Sequence, residues 1–289
     1  MISEVATNAA LGGILGLLIG SFLNVVIHRL PRMMEQEWNA EGAQWAEEQK
    51  EKGAKIQLPP AAAPITLSAP RSSCPHCNHQ IAWYENVPVL SYLFLRGRCA
   101  ECKKPISLRY PVVELICAAL FAFCLSRDGL TPTGFAWCGF SAALLTLALI
   151  DWDTTFLPDS ITLPLLWAGL IASALQWTTV PLVQSLWGAV AGYLSLWLIF
   201  WAFKLATGKE GMGYGDFKLF AALGAWFGWQ ALIPIILMAS VVGAVIGIAL
   251  KINSKLREGG YVPFGPFLAG GGFVSLIWGP QAVLSLAGL

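Results

Sequence analysis

Four cysteines in two close pairs are the first residues in this sequence whose spacing suits a chemical role. Cys74 and Cys77 form one Cys-x-x-Cys pair, and Cys99 and Cys102 form a second pair after 21 intervening residues. Each pair can place two thiolates on one ion from a tight turn, so the spacing predicts a tetrahedral, structural zinc site. The intervening segment is slightly longer than is usual for such sites. Disulfide bonds and a thioredoxin-like redox pair are the alternatives, and the redox pair lacks the expected βαβ pattern.

Two aspartates at the ends of apolar segments could form a second kind of site. Asp151 follows the apolar run 142–150, and Asp216 ends the motif Gly213-Tyr-Gly-Asp. Ionisable groups at the edge of a membrane span are costly and mark functional sites, and the glycines free the backbone from a regular helix. Two carboxylates a few ångströms apart share one proton, so one can activate water as a base while the other acts as an acid. The residues therefore predict an aspartic protease pair.

Other charged residues at segment ends have simpler interpretations. Asp159 follows Pro158 and opens an apolar segment, which is the position of a helix N-cap. Asp153 is expected to be a solvated loop residue. Lys218 either anchors a helix at the membrane interface or tunes the potential at Asp216.

The composition of the chain excludes several classes of protein. Of its 289 residues, 56% are apolar and only 12% are charged, with a mean hydropathy of +0.62. Soluble domains are about 25% charged, so these values argue against a soluble enzyme and indicate a polytopic membrane protein. The net charge of +1 gives no indication of a nucleic-acid partner. The composition also excludes a disordered chain, a collagen and a disulfide-rich secreted scaffold.

Apolar stretches near the length needed to cross a bilayer, about 20 residues, recur along the chain. They predict an all-α membrane protein with eight transmembrane helices, at residues 8–28, 111–126, 132–151, 156–177, 181–205, 216–229, 231–250 and 262–283. The predicted organisation is a first transmembrane helix (1–28), a cytoplasmic loop (29–110) with the zinc module at about 71–105, and a membrane-embedded domain of about seven helices (111–289).

The distribution of basic residues predicts the orientation in the membrane. With eight spans and the N-terminus outside, 17 of the 18 Lys and Arg residues lie on the cytoplasmic side, as the positive-inside rule requires. Disulfide bonds are therefore not expected at the four cysteines, because the cytoplasm is reducing. Segment 33–58 is polar and predicts a solvated helix interrupted at a glycine, with no function that the residues indicate.

Six motifs in order along the chain resemble those of the type IV prepilin leader peptidase family. The resemblance covers nearly the whole sequence and rests on Gly20-Ser-Phe-Leu-Asn-Val-Val-Ile-His-Arg-Leu-Pro31, the two cysteine pairs, Ile106-Ser-Leu-Arg-Tyr-Pro-Val-Val-Glu114, Asp151 with Leu157-Pro-Asp159, Gly213-Tyr-Gly-Asp-Phe-Lys218 and Pro263-Phe-Gly-Pro266.

The resemblance implies a bifunctional enzyme of the bacterial inner membrane. Such an enzyme cleaves the basic leader from type IV prepilins or type II secretion pseudopilins at the cytoplasmic face, with Asp151 and Asp216 as the catalytic pair and the four cysteines as zinc ligands. It then methylates the new N-terminal residue with S-adenosylmethionine, and the candidate cofactor-binding residues are Glu114, Arg109 and Gly97. The expected partners are these pilin substrates and membrane lipid.

Two other classes of protein compete with the enzyme hypothesis. In a transporter, the same carboxylates would relay protons or bind cations, but transporters often contain repeated halves with interruptions near the midplane, and no internal repeat is found here. A membrane scaffold with a zinc module that docks a partner would account for the cysteines, but it would leave the acidic residues without a role.

Overall fold

The computed structural model of this chain describes residues 2–51, 64–253 and 262–279, with side chains described from residue 3 to residue 45 in the first range. Regular structure in these ranges is α-helical, apart from two short 3₁₀ helices and two isolated β-bridges. The α-helices are α1 Ile2–Glu51, α2 Leu90–Phe94, α3 Arg109–Asp128, α4 Pro132–Thr154, α5 Asp159–Ala174, α6 Leu182–Thr207, α7 Tyr214–Phe227, α8 Leu232–Ile252 and α9 Gly265–Trp278.

Each of the eight predicted spans overlaps one of these helices, and the chain is an all-α, multi-pass membrane protein. Five helices in the described ranges, α1, α3, α4, α6 and α8, are long and apolar enough to cross a membrane. The other three, α5, α7 and α9, have 16, 14 and 14 residues, fewer than the roughly 20 that a spanning helix needs. The number of eight complete spans therefore stays a prediction.

Helix α1 is longer than the sequence predicts. It runs for 50 residues without a break and contains both Pro31 and Gly42. The predicted interruption at a glycine is wrong for the described part of segment 33–58, because Glu, Gln, Ala and Lys are strong helix formers and one glycine costs only about 1 kcal/mol. Residues 52–58 of that segment lie outside the described residues.

The chain forms two compact units. One is Gly16–Ile116, called here the cysteine unit, and the other is Met1–Leu15 with Cys117–Leu289, called here the bundle unit. The bundle unit contains helices α4 to α9 and both predicted catalytic aspartates.

Helix α7 is the core of the bundle unit. From Asp216 to Phe227, every residue except Lys218 is buried. Helix α6 approaches α7 closely through Gly188 and Gly192, a Gly-xxx-Gly pair of the kind that lets transmembrane helices pack at short distance. A Cβ atom at Gly192 would lie 2.7 Å from the Phe220 carbonyl oxygen, and one at Gly188 would overlap the backbone of α7. The position of α7 is therefore set by backbone contact with α6.

Helices α4 and α7 are antiparallel, and their ring contacts set their register. The rings of Phe140 in α4 and Trp226 in α7 lie 4.9 Å apart. Asp151 follows Phe140 by 11 residues, and Asp216 precedes Trp226 by 10 residues. At 1.5 Å per residue both distances are about 15–17 Å, so the packing places the two aspartates at the same level.

Helix α9 packs against both α4 and α7 through a glycine. A Cβ atom at Gly272 would lie 2.7 Å from Leu223 Cδ2 of α7 and 2.9 Å from Leu144 Cδ2 of α4. This close approach lets the first residue of α9, Gly265, reach Asp151.

Candidate active site

The two predicted catalytic aspartates lie together in the bundle unit. Asp151 is near the C-terminal end of α4 and Asp216 is in the first turn of α7. Their side chains belong to residues that are only 5% and 7% exposed, and the two carboxyl groups interact electrostatically. The structure thus joins two acidic residues that are 65 positions apart in the sequence. A pair of carboxyl groups in such surroundings can hold one proton between them.

A backbone amide fixes one oxygen of Asp151. The N–H group of Gly265 donates a hydrogen bond of 2.9 Å to Asp151 Oδ2. A Cβ atom at Gly265 would lie 2.6 Å from the same oxygen, so only a glycine allows this approach. The motif Pro263-Phe-Gly-Pro266 therefore does more than turn the chain before α9, because its glycine orients an acidic side chain.

The buried side chain of Leu157 packs against two glycines, Gly215 next to Asp216 and Gly265 in contact with Asp151. A Cβ atom at Gly215, next to Asp216, would lie 2.7 Å from Leu157 Cβ, and one at Gly265 would lie 3.3 Å from Leu157 Cδ1. Gly215 is thus the glycine of the Gly-Tyr-Gly-Asp motif that lets the start of α7 pack closely against Leu157.

One oxygen of Asp216 remains available for a ligand. Asp216 Oδ1 is buried and has no hydrogen-bond partner among the described residues. Buried polar atoms are nearly always hydrogen-bonded, so an unpartnered carboxylate oxygen is expected to bind water or substrate.

Asp159 and Lys218 form an ion pair that the sequence did not predict. Lys218 Nζ donates to both carboxylate oxygens of Asp159, at 2.6 and 2.7 Å. The predicted N-cap role of Asp159 is wrong, because Pro158 occupies the N-cap and Asp159 is the first residue of α5. The pair joins the first turn of α5 to the first turn of α7, two residues beyond Asp216.

The four cysteines of the cysteine unit form one cluster. Their sulfur atoms all lie within 4.8 Å of one another, with 3.8 Å between Cys74 and Cys102 and 3.9 Å between Cys77 and Cys99. Tetrahedral zinc with Zn–S bonds of about 2.3 Å requires sulfur atoms about 3.8 Å apart. These two separations match that geometry, so the cluster could hold a tetrahedral metal ion.

The two cysteine turns repeat the same backbone geometry. Cys74 N–H donates to the His79 carbonyl and Cys99 N–H donates to the Lys104 carbonyl, both at 2.9 Å. The residue after the second cysteine of each turn, Asn78 or Lys103, has a left-handed φ of 58°.

Backbone hydrogen bonds favour the thiolate form of Cys74. Backbone N–H groups of His76 and Cys77 lower the pKa of the Cys74 thiol to about 6, which suits a metal ligand. His79 is not a member of the cluster; its ring contacts the carboxylates of Glu85 at 3.0 Å and Glu101 at 2.9 Å. The hydrogen bond that His79 donates to the Glu85 carboxylate raises the pKa of His79.

A cavity of about 380 Å³ lies within the cysteine unit. Its lining includes three arginines, two tyrosines and two glutamates: Arg29, Arg32, Arg71, Tyr92, Tyr110, Glu85 and Glu114. Glu114 is buried, at 7% exposure, and accepts a hydrogen bond of 2.8 Å from the N–H group of Val89.

The three residues that the resemblance suggests for cofactor binding have different positions relative to this cavity. Glu114 lines it directly. Gly97 lies behind Tyr92: its φ is +66°, and a Cβ atom there would lie 2.7 Å from the Tyr92 hydroxyl oxygen. Arg109 begins α3, is exposed and is not part of the lining.

Comparison with known proteins identifies the relatives of this chain. The model of the bacterial peptidase A24 N-terminal domain matches residues 14–127, and that of the type IV leader peptidase family matches residues 138–248. The prepilin leader peptidase/N-methyltransferase of Stutzerimonas stutzeri is 50% identical over 94% of this chain and 91% of its own. Its counterpart from Pseudomonas aeruginosa is 48% identical over 93% and 89%, respectively. A relative of the same name from Aeromonas hydrophila is 51% identical over 91% and 88%.

No solved structure matches this chain. The matching regions contain the cysteine cluster in the first family model and the two aspartates in the second. With half of its residues identical to those of relatives over nearly its whole length, the chain belongs to the type IV leader peptidase family.

Proposed function

We propose that this chain is a membrane-embedded aspartic peptidase that removes the leader from type IV prepilins or type II secretion pseudopilins and then methylates the new N-terminus. The observation that carries the peptidase part is the buried pair of carboxyl groups from α4 and α7, one of which is oriented by the Gly265 N–H group. The relatives' shared name, prepilin leader peptidase/N-methyltransferase, supports both activities.

The peptidase reaction needs only the two carboxyl groups and water. One of the two aspartates, Asp151 or Asp216, takes a proton from water, and the water oxygen attacks the scissile carbonyl carbon. The other aspartate donates its proton to the carbonyl oxygen. The resulting tetrahedral intermediate collapses as the C–N bond breaks and a proton passes to the leaving amine. The products are a free leader carboxylate and a new N-terminal amine.

The methyltransferase reaction uses the amine that cleavage releases. When bound, S-adenosylmethionine supplies an electrophilic methyl group on a sulfonium. The protein must bind this donor, orient the amine in its neutral form and accept the proton that the amine loses. The cysteine unit, with its cavity lined in part by charged side chains, is the part of the chain that we assign to this step.

Zinc has a structural role in this proposal. Cys74, Cys77, Cys99 and Cys102 would hold it, and the four-sulfur geometry leaves no open position for substrate. A segment with so few apolar residues gains its stability from the metal.

The proposed location is the bacterial inner membrane, with the N-terminus periplasmic and the loop 29–110 cytoplasmic. This orientation is supported by the positive-inside distribution of Lys and Arg in the sequence. A prepilin has an apolar helix after its leader, so its cleavage site is expected at the cytoplasmic surface of the bilayer. In the proposed orientation, the ends of α4 and α7 that carry the acidic pair lie on the same side.

The test of the peptidase uses purified full-length protein and a prepilin-like peptide, with mass spectrometry of the products. Asp151→Asn and Asp216→Asn should each lower cleavage at least 1,000-fold, on the order of the effect of removing a catalytic group. Asp128→Asn, which changes an aspartate at the other end of the bundle beside Arg127, is the matched control and should cleave at the wild-type rate. Wild-type cleavage by either variant of the pair would remove that residue from the mechanism.

A further inference from the structure

The cavity of the cysteine unit contains a buried carboxyl group, that of Glu114, without a cationic partner among the described residues. The Glu114 carboxylate accepts hydrogen bonds from the Val89 N–H group and from the Ser21 side chain. Neither donor carries a charge, and Glu114 forms no ion pair with any described residue. A buried carboxylate with only neutral partners is costly unless a cation compensates it. The wall of the cavity at Glu114 therefore suits the positively charged part of a ligand.

The same cavity is also lined by arginines, and one of them, Arg29, is bound by the protein itself. Arg29 donates hydrogen bonds to the carbonyl oxygens of Thr66, Leu67 and Pro70, at 2.9, 3.3 and 2.7 Å, so it holds the chain that forms part of the cavity wall. Arg32 and Arg71 also line the cavity, and neither makes an ion pair within the described ranges. Each guanidinium group can bind a carboxylate through two parallel hydrogen bonds, as a bidentate ion pair.

The combination of charges and size restricts the ligand. About 380 Å³ lies in the range of pockets for cofactor-sized molecules, which begins near 300 Å³. A ligand that satisfies both walls carries a carboxylate and at least one cationic centre. Tyr92 and Tyr110 add aromatic side chains to the lining, which suit a planar base. S-adenosylmethionine has all of these groups: an amino-acid carboxylate, an ammonium, a sulfonium and an adenine.

We propose that this cavity is the methyl-donor site, in which Arg32 and Arg71 bind the carboxylate of S-adenosylmethionine and Glu114 faces its cationic groups. The inference rests on the proposed methyltransferase function and adds its location. Gly97 supports the site indirectly, because its lack of a side chain leaves room for the Tyr92 ring. Glu114 thus acts through charge, whereas Gly97 acts through the shape of the wall.

The first experiment locates the donor without substitutions. Purified full-length wild-type protein is irradiated with radiolabelled S-adenosylmethionine, and the labelled peptides are identified by mass spectrometry. Label in peptides that contain cavity-lining residues of 21–32 or 65–114 is expected. Label confined to 132–253, the part of the chain that carries the aspartate pair, would overturn the assignment.

The second experiment measures affinity for S-adenosylmethionine by equilibrium dialysis. Glu114→Gln keeps the size of the side chain and removes its charge, and Arg71→Gln removes one cationic group; each should raise Kd at least tenfold while leader cleavage stays within twofold of wild type. Glu41→Gln removes an exposed carboxylate of α1 outside the cavity and should leave Kd unchanged.

The outcomes separate this inference from the proposed function. A wild-type protein that methylates its product while both variants bind the donor with wild-type affinity refutes the cavity as the donor site and leaves the methyltransferase proposal intact. A wild-type protein that cleaves but neither binds the donor nor transfers a methyl group refutes both.

Discussion

Gly265→Ala is the substitution that tests the architecture of the aspartate pair most directly. The new Cβ atom would lie 2.6 Å from Asp151 Oδ2 and 3.1 Å from Asp151 Cγ. Non-bonded heavy atoms prefer separations near 3.5 Å, so the carboxyl group has to move by about 0.9 Å. This movement also lengthens the 2.9 Å hydrogen bond from the Gly265 N–H group.

The displacement allows the effect on turnover to be estimated. A shift of about 1 Å in a catalytic group costs about 100-fold in rate, which corresponds to about 2.7 kcal/mol of transition-state stabilisation. We therefore expect kcat for a prepilin-like peptide to fall about 100-fold. Methylation of a peptide that is already cleaved should remain at the wild-type rate, because Gly265 lies in the bundle unit and the proposed donor site lies in the cysteine unit.

The matched control is another glycine of α9. A Cβ atom at Gly270 would meet no atom within 4 Å, so Gly270→Ala should keep kcat within twofold and change stability by no more than about 1 kcal/mol. Thermal unfolding in detergent verifies that Gly265→Ala is folded. A folded Gly265→Ala protein with wild-type kcat would show that the amide of Gly265 does not position Asp151.

Three further predictions concern the metal, the helix packing and the ion pair. Cys74→Ser should lower the zinc content of the purified protein to background, as measured by metal analysis, since three thiolates hold zinc less well than four. Gly188→Ala should lower the free energy of unfolding by about 3 kcal/mol, measured by denaturation in detergent, because the added methyl group overlaps the backbone of α7. Lys218→Met should lower stability by less than about 1 kcal/mol, because the pair with Asp159 is partly exposed.

The predictions for the metal and for the helix packing each have a control variant. Cys138→Ser should retain zinc, because Cys138 is buried in the bundle unit and is not a member of the cluster. Gly139→Ala adds a methyl group that meets no atom within 4 Å and should not destabilise the protein. Full zinc occupancy in Cys74→Ser, or equal stability of Gly188→Ala and Gly139→Ala, would contradict the packing and ligand assignments. A loss of several kcal/mol in Lys218→Met would show that the ion pair is a major stabilising contact.

The sequence predicted the chemistry of this protein better than its packing. The spacing of the four cysteines and the positions of Asp151 and Asp216 at segment ends are local patterns, because cysteine turns and span ends are defined by neighbouring residues. The aspartates then come together because the ring contact of Phe140 with Trp226 sets the register of α4 and α7. That register depends on side-chain shape and leaves no simple pattern in the sequence.

The contacts that the sequence did not predict are all between distant segments. The approach of Gly188 to α7, the amide of Gly265 at Asp151 and the pairing of Asp159 with Lys218 each join residues at least 36 positions apart. The Gly-xxx-Gly spacing in α6 is the one signal in the sequence that could have indicated such a contact, since small residues four apart are typical of close helix pairs in membranes. It identifies the face of α6 but not its partner.

The three helices that are too short to cross a bilayer have their first residues near the aspartate pair. Helix α9 begins at Gly265, which donates to Asp151; α7 begins two residues before Asp216; and α5 begins at Asp159, which pairs with Lys218. Irregular backbone at membrane depth is stable only where it lines a wet cavity or is covered by protein. Shortening these helices therefore places non-helical backbone, with its free N–H groups and its small residues, beside the two carboxyl groups. In a bundle made only of full-length spans, the helices would cover both aspartates, and a peptide bond could not reach them. The three short apolar helices, unlike the five long ones, thus begin beside the proposed hydrolytic site.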